Sequence, residues 1–105
     1  MTETPRHGHA PIKMNLVENE DDVEALGDYW LDEAGDIWLV IPSPDKSGRF
    51  GRHGGTMIHL PLCQGEKKPT AWLWDGNRSK PTITPSVHTH GHWHGWVRQG
   101  QLIEV

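Results

Sequence analysis

Residues 29–41 read Tyr29-Trp30-Leu31-Asp32-Glu33-Ala34-Gly35-Asp36-Ile37-Trp38-Leu39-Val40-Ile41, and this stretch sets the class of the fold. Aromatic, β-branched and aliphatic residues stand on either side of the acidic, glycine-containing segment 32–36. Such a pattern predicts strand, turn, strand, a β-hairpin.

The same pattern recurs outward from it. Upstream, Ile12–Val17 predicts a short strand, and Glu20–Leu26 one or two helical turns with an acidic start and Gly27 as the stop. Residues 1–11 (MTETPRHGHAP) have no periodicity and read as a flexible leader, with His7 and His9 as solvated members of it. Downstream, residues 42–55 hold prolines and the glycines Gly48, Gly51, Gly54 and Gly55, and predict a long mobile loop. Arg49, Arg52 and His53 make that loop a local basic patch suited to touching a substrate or partner. Thr56–Leu62 and Ala71–Trp74 predict further strands, the second followed by the turn Asp75-Gly76-Asn77. Thr82–His88 is extended but contains Pro85, which has no N–H for a ladder bond, so it predicts an edge strand or a bulge. Trp93–Arg98, the turn Gln99-Gly100 and Gln101–Val105 predict a closing hairpin. The expected fold is mainly β, a small antiparallel sandwich or open barrel of roughly six to eight short strands with at most one short helix. Residues 12–105 are expected to form a single β domain.

Composition narrows the function classes. With 105 residues and an apolar share of 34%, the core is small and would gain from a metal or a partner. A net charge of −4 and a pI near 6.0 argue against nucleic acid held by broad phosphate attraction. The acidic residues gather toward the front, at Glu18, Glu20, Asp21, Asp22 and Glu24. The single cysteine, Cys63, excludes an internal disulfide framework and suits a reducing compartment. The start, Met1 to Pro11, lacks the apolar core of a signal peptide, and no segment approaches the roughly 18 apolar residues of a membrane span. A cytoplasmic protein that does not engage a membrane is the expectation.

Eight histidines and six tryptophans in so short a chain ask for a reason. In His88-Thr89-His90-Gly91-His92-Trp93-His94 an imidazole occupies every second position, and alternate side chains of a strand share a face. Imidazole and thiolate together suit zinc, so His59 and Cys63 would complete a mixed nitrogen and sulfur set with members of this run. Gly91 and Gly95 mark places where a bulge would break the alternation. Ser86 offers another chemistry, because a nearby histidine among His88, His92 and His94 would take its hydroxyl proton. Asp75 is the nearest acid in sequence that would orient such a base, and Cys63 with His59 is a weaker nucleophile pair. Trp72, Trp74, Trp93 and Trp96 read as buried area rather than as a stacking platform. A cupin-like metal site meets a chain short for that barrel and without the usual acidic ligand.

Four further stretches carry a family resemblance: His59-Leu60-Pro61-Leu62-Cys63, Trp72-Leu73-Trp74-Asp75-Gly76, Pro81-Thr82-Ile83-Thr84-Pro85-Ser86-Val87 and His94-Gly95-Trp96-Val97-Arg98-Gln99-Gly100. Together they resemble a bacterial and phage family of small domains, some encoded beside bacterial ubiquitin-like conjugation systems. Members commonly carry several cysteines around the position of Cys63 and one just before that of His94, a pattern similar to a zinc site. Here Cys63 alone remains of the first group and His92 stands where the second cysteine is missing. The resemblance thus implies His59, Cys63, His92 and His94 as ligands of a zinc ion. Some relatives resemble serine peptidases acting on ubiquitin-like tails, which implies catalytic roles for Ser86 and His94. Three readings follow: a zinc-binding structural or interaction module with a protein partner, a Ser/His hydrolase, and a phage-type inhibitor that meets a host defence protein through its acidic face.

Overall fold

The structure, a computed structural model, describes residues 11–42, 55–88 and 93–105. The predicted hairpin is present: β3 (Asp28–Leu31) and β4 (Ile37–Pro42) run antiparallel, with Tyr29 opposite Leu39, Trp30 opposite Trp38 and Leu31 opposite Ile37. Its turn closes by Asp32 N to Asp36 O and Gly35 N to Asp32 O bonds, both 3.0 Å. Gly35 has a φ of +89°, a left-handed conformation that glycine adopts without a Cβ penalty. Alternation then buries Tyr29, Ile37 and Leu39 and turns Trp30 and Trp38 to the opposite face.

Two sheets result. One has the order β2-β3-β4-β5, using β2 (Asn15–Leu16) and β5 (Gly55–Leu60); the other has the order β1-β10-β9-β8-β7-β6. In the second, β1 is Ile12–Lys13, β6 Leu62–Cys63, β7 Trp72–Trp74, β8 Ile83–His88, β9 His94–Arg98 and β10 Gln101–Glu104. Between the sheets lies one core in which Tyr29, Leu39, Ile41 and Leu60 from the first meet Ile83, Val87, Val97 and Leu102 from the second. Each fully buried aliphatic or aromatic side chain there contributes about 1.5–3 kcal/mol. The Tyr29 hydroxyl ties the layers further by donating to the Arg78 carbonyl, and burial pushes its pKa up. The mainly β sandwich expected from the sequence is the fold.

Four local expectations need correction. The strand expected over Ile12–Val17 divides at buried Met14 into β1 and β2, which join different sheets. Likewise the strand expected over Thr56–Leu62 divides at Pro61 into β5 and β6. The sheets are therefore linked along both edges by chain that crosses from one to the other, which ties down edges that would otherwise stand free. The helical turns expected over Glu20–Leu26 shrink to a 3-10 turn, Glu20–Asp22, capped by the Asn19 side chain. Asp28 is the reason: its buried carboxylate accepts from the N–H groups of Glu24 and Ala25, at 2.9 and 3.0 Å, and holds that segment as a loop. Finally, β2 with β3 and β6 with β7 are parallel pairs in a mostly antiparallel fold, and ten short strands occur among the described residues. The leader and the basic patch Arg49, Arg52 and His53 lie outside the described residues.

Candidate active site

The strand holding Pro85 is central, between β7 and β9, and accommodates its proline by the bulge that the sequence offered as one alternative. Ile83 pairs with Val97 and Val87 with Gly95, so four steps along β8 face two along β9. The irregular segment includes the cis peptide bond Thr84–Pro85. Regular pairing resumes at Val87, and Ser86 falls just before it, on the face opposite buried Val87. His88 and His94, paired across the two strands, share that outer face with Ser86.

There the Ser86 hydroxyl stands 2.9 Å from His94 Nε2. This is the distance at which a hydroxyl donates to an imidazole nitrogen, and it is the arrangement a general base needs to take the proton. The ring of His88 stacks on that of His94 with centroids 4.6 Å apart and planes 28° apart, which restricts rotation of the imidazole. On the other side of the serine, the Trp72 indole N–H donates to the Ser86 carbonyl at 3.4 Å. A cleft of about 180 Å³ between Lys67, Pro69, Thr70, Ala71, Trp72 and Pro85 opens beside it.

His94 is held from beneath. Its neighbour Trp93 is 4% exposed and lies on the backbone of Gly95, where an added Cβ would fall 2.2 Å from the indole and 2.8 Å from the Ile103 carbonyl. Glycine at 95 is therefore a packing requirement rather than a bulge. The Val105 N–H bond to the His94 carbonyl, at 3.0 Å, fixes the same backbone from the adjoining strand.

The other candidate residues are placed elsewhere. Among the described residues no carboxylate bonds to His94; Asp75 instead holds the turn after β7, accepting from the N–H groups of Asn77 and Thr82 at 3.0 and 3.3 Å. Cys63 is buried on β6 and donates to the Trp72 carbonyl at 3.5 Å. His59 belongs to the other sheet, and its Nε2 lies 3.0 Å from Asp36 Oδ2. His92, with His90, lies outside the described residues. The described members of the expected zinc set, His59, Cys63 and His94, are not gathered into one group of donor atoms: His59 bonds to Asp36, Cys63 to the Trp72 carbonyl and His94 to Ser86.

One constellation was not anticipated. On the outer face of the four-stranded sheet Trp30, Trp38 and His59 stack in register, with centroid separations of 5.5 and 4.5 Å. Beside them Asp32 Oδ2 accepts from the Trp38 indole at 2.8 Å, and Asp36 Oδ1 accepts from Leu62 N at 3.0 Å. The indole bond, outweighing some burial, holds the Asp32 carboxyl below its ordinary range. Donor atoms of Asp32, Asp36 and His59 all lie within 4.8 Å of one another. The symmetric hairpin already signalled Trp30 opposite Trp38; His59 needed the third strand.

Residues 52–105, just over half of the chain, match the family model described as bacterial ubiquitination-like system serine protease (BubE). The matched region contains Ser86 and His94 and leaves out Asp32 and Asp36. No curated protein and no solved structure matches the chain.

Proposed function

The chain belongs to the bacterial ubiquitination-like system serine protease (BubE) family, and on that premise we propose that it is a serine peptidase with Ser86 as nucleophile and His94 as base. The observation that carries this reading is the 2.9 Å contact between the Ser86 hydroxyl and His94 Nε2 on an open sheet face. His94 Nε2 takes the hydroxyl proton as Ser86 Oγ forms a bond to the carbonyl carbon of a peptide bond. The imidazolium then protonates the departing amine as the carbon–nitrogen bond breaks, leaving an acyl ester on Ser86. Water, deprotonated by the same nitrogen, attacks the ester, which releases the acid and regenerates the hydroxyl. His88 serves as a positioning residue through its stacking on His94.

A fluorophosphonate probe, which phosphonylates activated serines, tests the assignment. Wild type is expected to be labelled at Ser86, as read by peptide mass spectrometry, and Ser86→Ala to be unlabelled. Labelling of the Ser86→Ala protein to the wild-type extent, or none in either protein, removes the proposal.

A second reading retains the metal, and one observation favours it: the donors of Asp32, Asp36 and His59 within 4.8 Å. Carboxylate and imidazole suit zinc, and the Trp38 indole bond and ring stack are the kind of outer support that orients ligands. Elemental analysis of protein purified without a histidine tag is expected to give about one zinc per chain, lost in His59→Ala. Metal-free wild type would end this reading and leave the peptidase untouched.

A further inference from the structure

Strand β9 continues past His94 along the same outer face. Alternation puts Trp96 and then Arg98 on the side of the sheet that carries the dyad, while Gly95 and Val97 are buried. The Arg98 guanidinium lies 4.3 Å from the centre of the Trp96 ring, a cation–π contact that holds the long side chain in place. Arg98 is exposed, and it forms no salt bridge among the described residues. In a chain of net charge −4, Arg98 is thus a cation without an acidic partner among the described residues, on the face of the dyad.

A cleft of about 320 Å³ opens there, lined by Thr82, Arg98, Gln99, Gln101 and Ile103. Its wall combines one cation, two side-chain amides and one aliphatic face. Amide and guanidinium N–H groups are donors suited to carboxylate oxygens, and the planar guanidinium takes both oxygens at once. Arg98 is four residues from His94, about 13 Å along an extended strand. Val87 pairs with Gly95, so Ser86 lies along β9 between His94 and Arg98, and a peptide with its carbonyl at Ser86 and its chain along β9 would bring a group about two to four residues from the scissile bond into this cleft.

We propose that the cleft at Arg98 is a substrate subsite that takes a carboxylate of the peptide, an acidic side chain or the C-terminal carboxylate, about two to four residues from the bond cleaved at Ser86. The inference rests on the peptidase reading and adds to it the charge of the substrate. Trp96 positions Arg98, and Arg98 selects.

The test uses internally quenched ten-residue peptides of uncharged sequence, each with one glutamine or one glutamate at successive positions and each with a free or amidated C-terminus. One glutamate position, or the free C-terminus, is expected to raise kcat/KM at least about tenfold through KM, the strength of a charge-assisted hydrogen bond. Arg98→Gln should bring the ratio of kcat/KM between the acidic and the uncharged peptide down to about one, and Arg98→Lys should restore part of it. Glutamate positions distinguish a side-chain carboxylate from the terminal one. If neither raises the rate, or if Arg98→Gln keeps the preference, the subsite is overturned. If no peptide is cleaved, the peptidase reading fails separately. The same peptides, dye-labelled, then report binding by fluorescence polarisation to wild type and to Arg98→Gln. A carboxylate-dependent affinity lost in the variant supports the subsite, and equal binding of acid and amide forms overturns it.

Discussion

On one outer face of the sandwich His94 Nε2 stands 2.9 Å from a hydroxyl; on the other His59 Nε2 stands 3.0 Å from a carboxylate. Both histidines lie on strands, both are stacked on a ring, and both pair through the same nitrogen. The partners make them different groups. A carboxylate beside an imidazole nitrogen favours an N–H on that nitrogen, which sets His59 Nε2 to donate to Asp36. A hydroxyl can donate as well as accept, which allows His94 Nε2 the acceptor role that the proposed peptidase asks of it. The face that carries Asp36 is a clasp on a turn, since Asp36 also accepts from Leu62 N where the chain changes sheets. An imidazole's chemistry is thus read from its neighbour.

The comparison breaks most directly at the two imidazoles. His94→Ala should lower the rate of fluorophosphonate labelling on the order of 10³-fold, the scale of general-base assistance, while His59→Ala leaves the rate per folded molecule unchanged. Equal losses in the two variants would mean that the faces do not differ as argued. A smaller effect is expected at the support beneath the dyad. Gly95→Ala pushes a methyl into Trp93 and the Ile103 carbonyl and should cost roughly 1–3 kcal/mol in urea unfolding. A variant as stable as wild type would show that His94 is not held from below in this way.

On the clasp side, Asp36→Ala leaves the half-buried Leu62 N–H without its acceptor and should cost about 1–3 kcal/mol, with labelling at Ser86 unchanged per folded molecule. A loss of labelling without a loss of stability would couple the faces instead. The smallest effect concerns pH. The Trp38 indole holds the Asp32 carboxyl below its ordinary range, so its contribution is complete above the unfolded carboxylate pKa, about 3.9, and is lost as pH falls through the lower folded value. Urea midpoints below about pH 4 should therefore fall less steeply for Asp32→Asn than for wild type. Parallel curves would remove Asp32 from the acid response.

Part of this was legible because it is local. The hairpin around Gly35, the closing hairpin and the bulge at Pro85 follow from alternation, turn residues and a missing N–H. Ser86 and His94 are eight residues apart on two adjacent strands, so one register brings them together. The zinc set of His59, Cys63, His92 and His94 rests on residue types and on the family resemblance. Pro61, between His59 and Cys63, sends the chain from one sheet to the other, and each of the two finds a partner where it arrives.

The sequence by itself determined the mainly β class and the turn positions and offered Ser86 a histidine among His88, His92 and His94, since these depend on strand periodicity, on glycine and proline, and on residues few steps apart. Tertiary structure alone decided which sheet each half of a divided strand enters, that His59 meets Asp36 across 23 residues, and that Trp93 needs glycine at 95. Alternation states which face a side chain takes but not which strand lies beside it. That depends on how both sheets bury their apolar faces against one another.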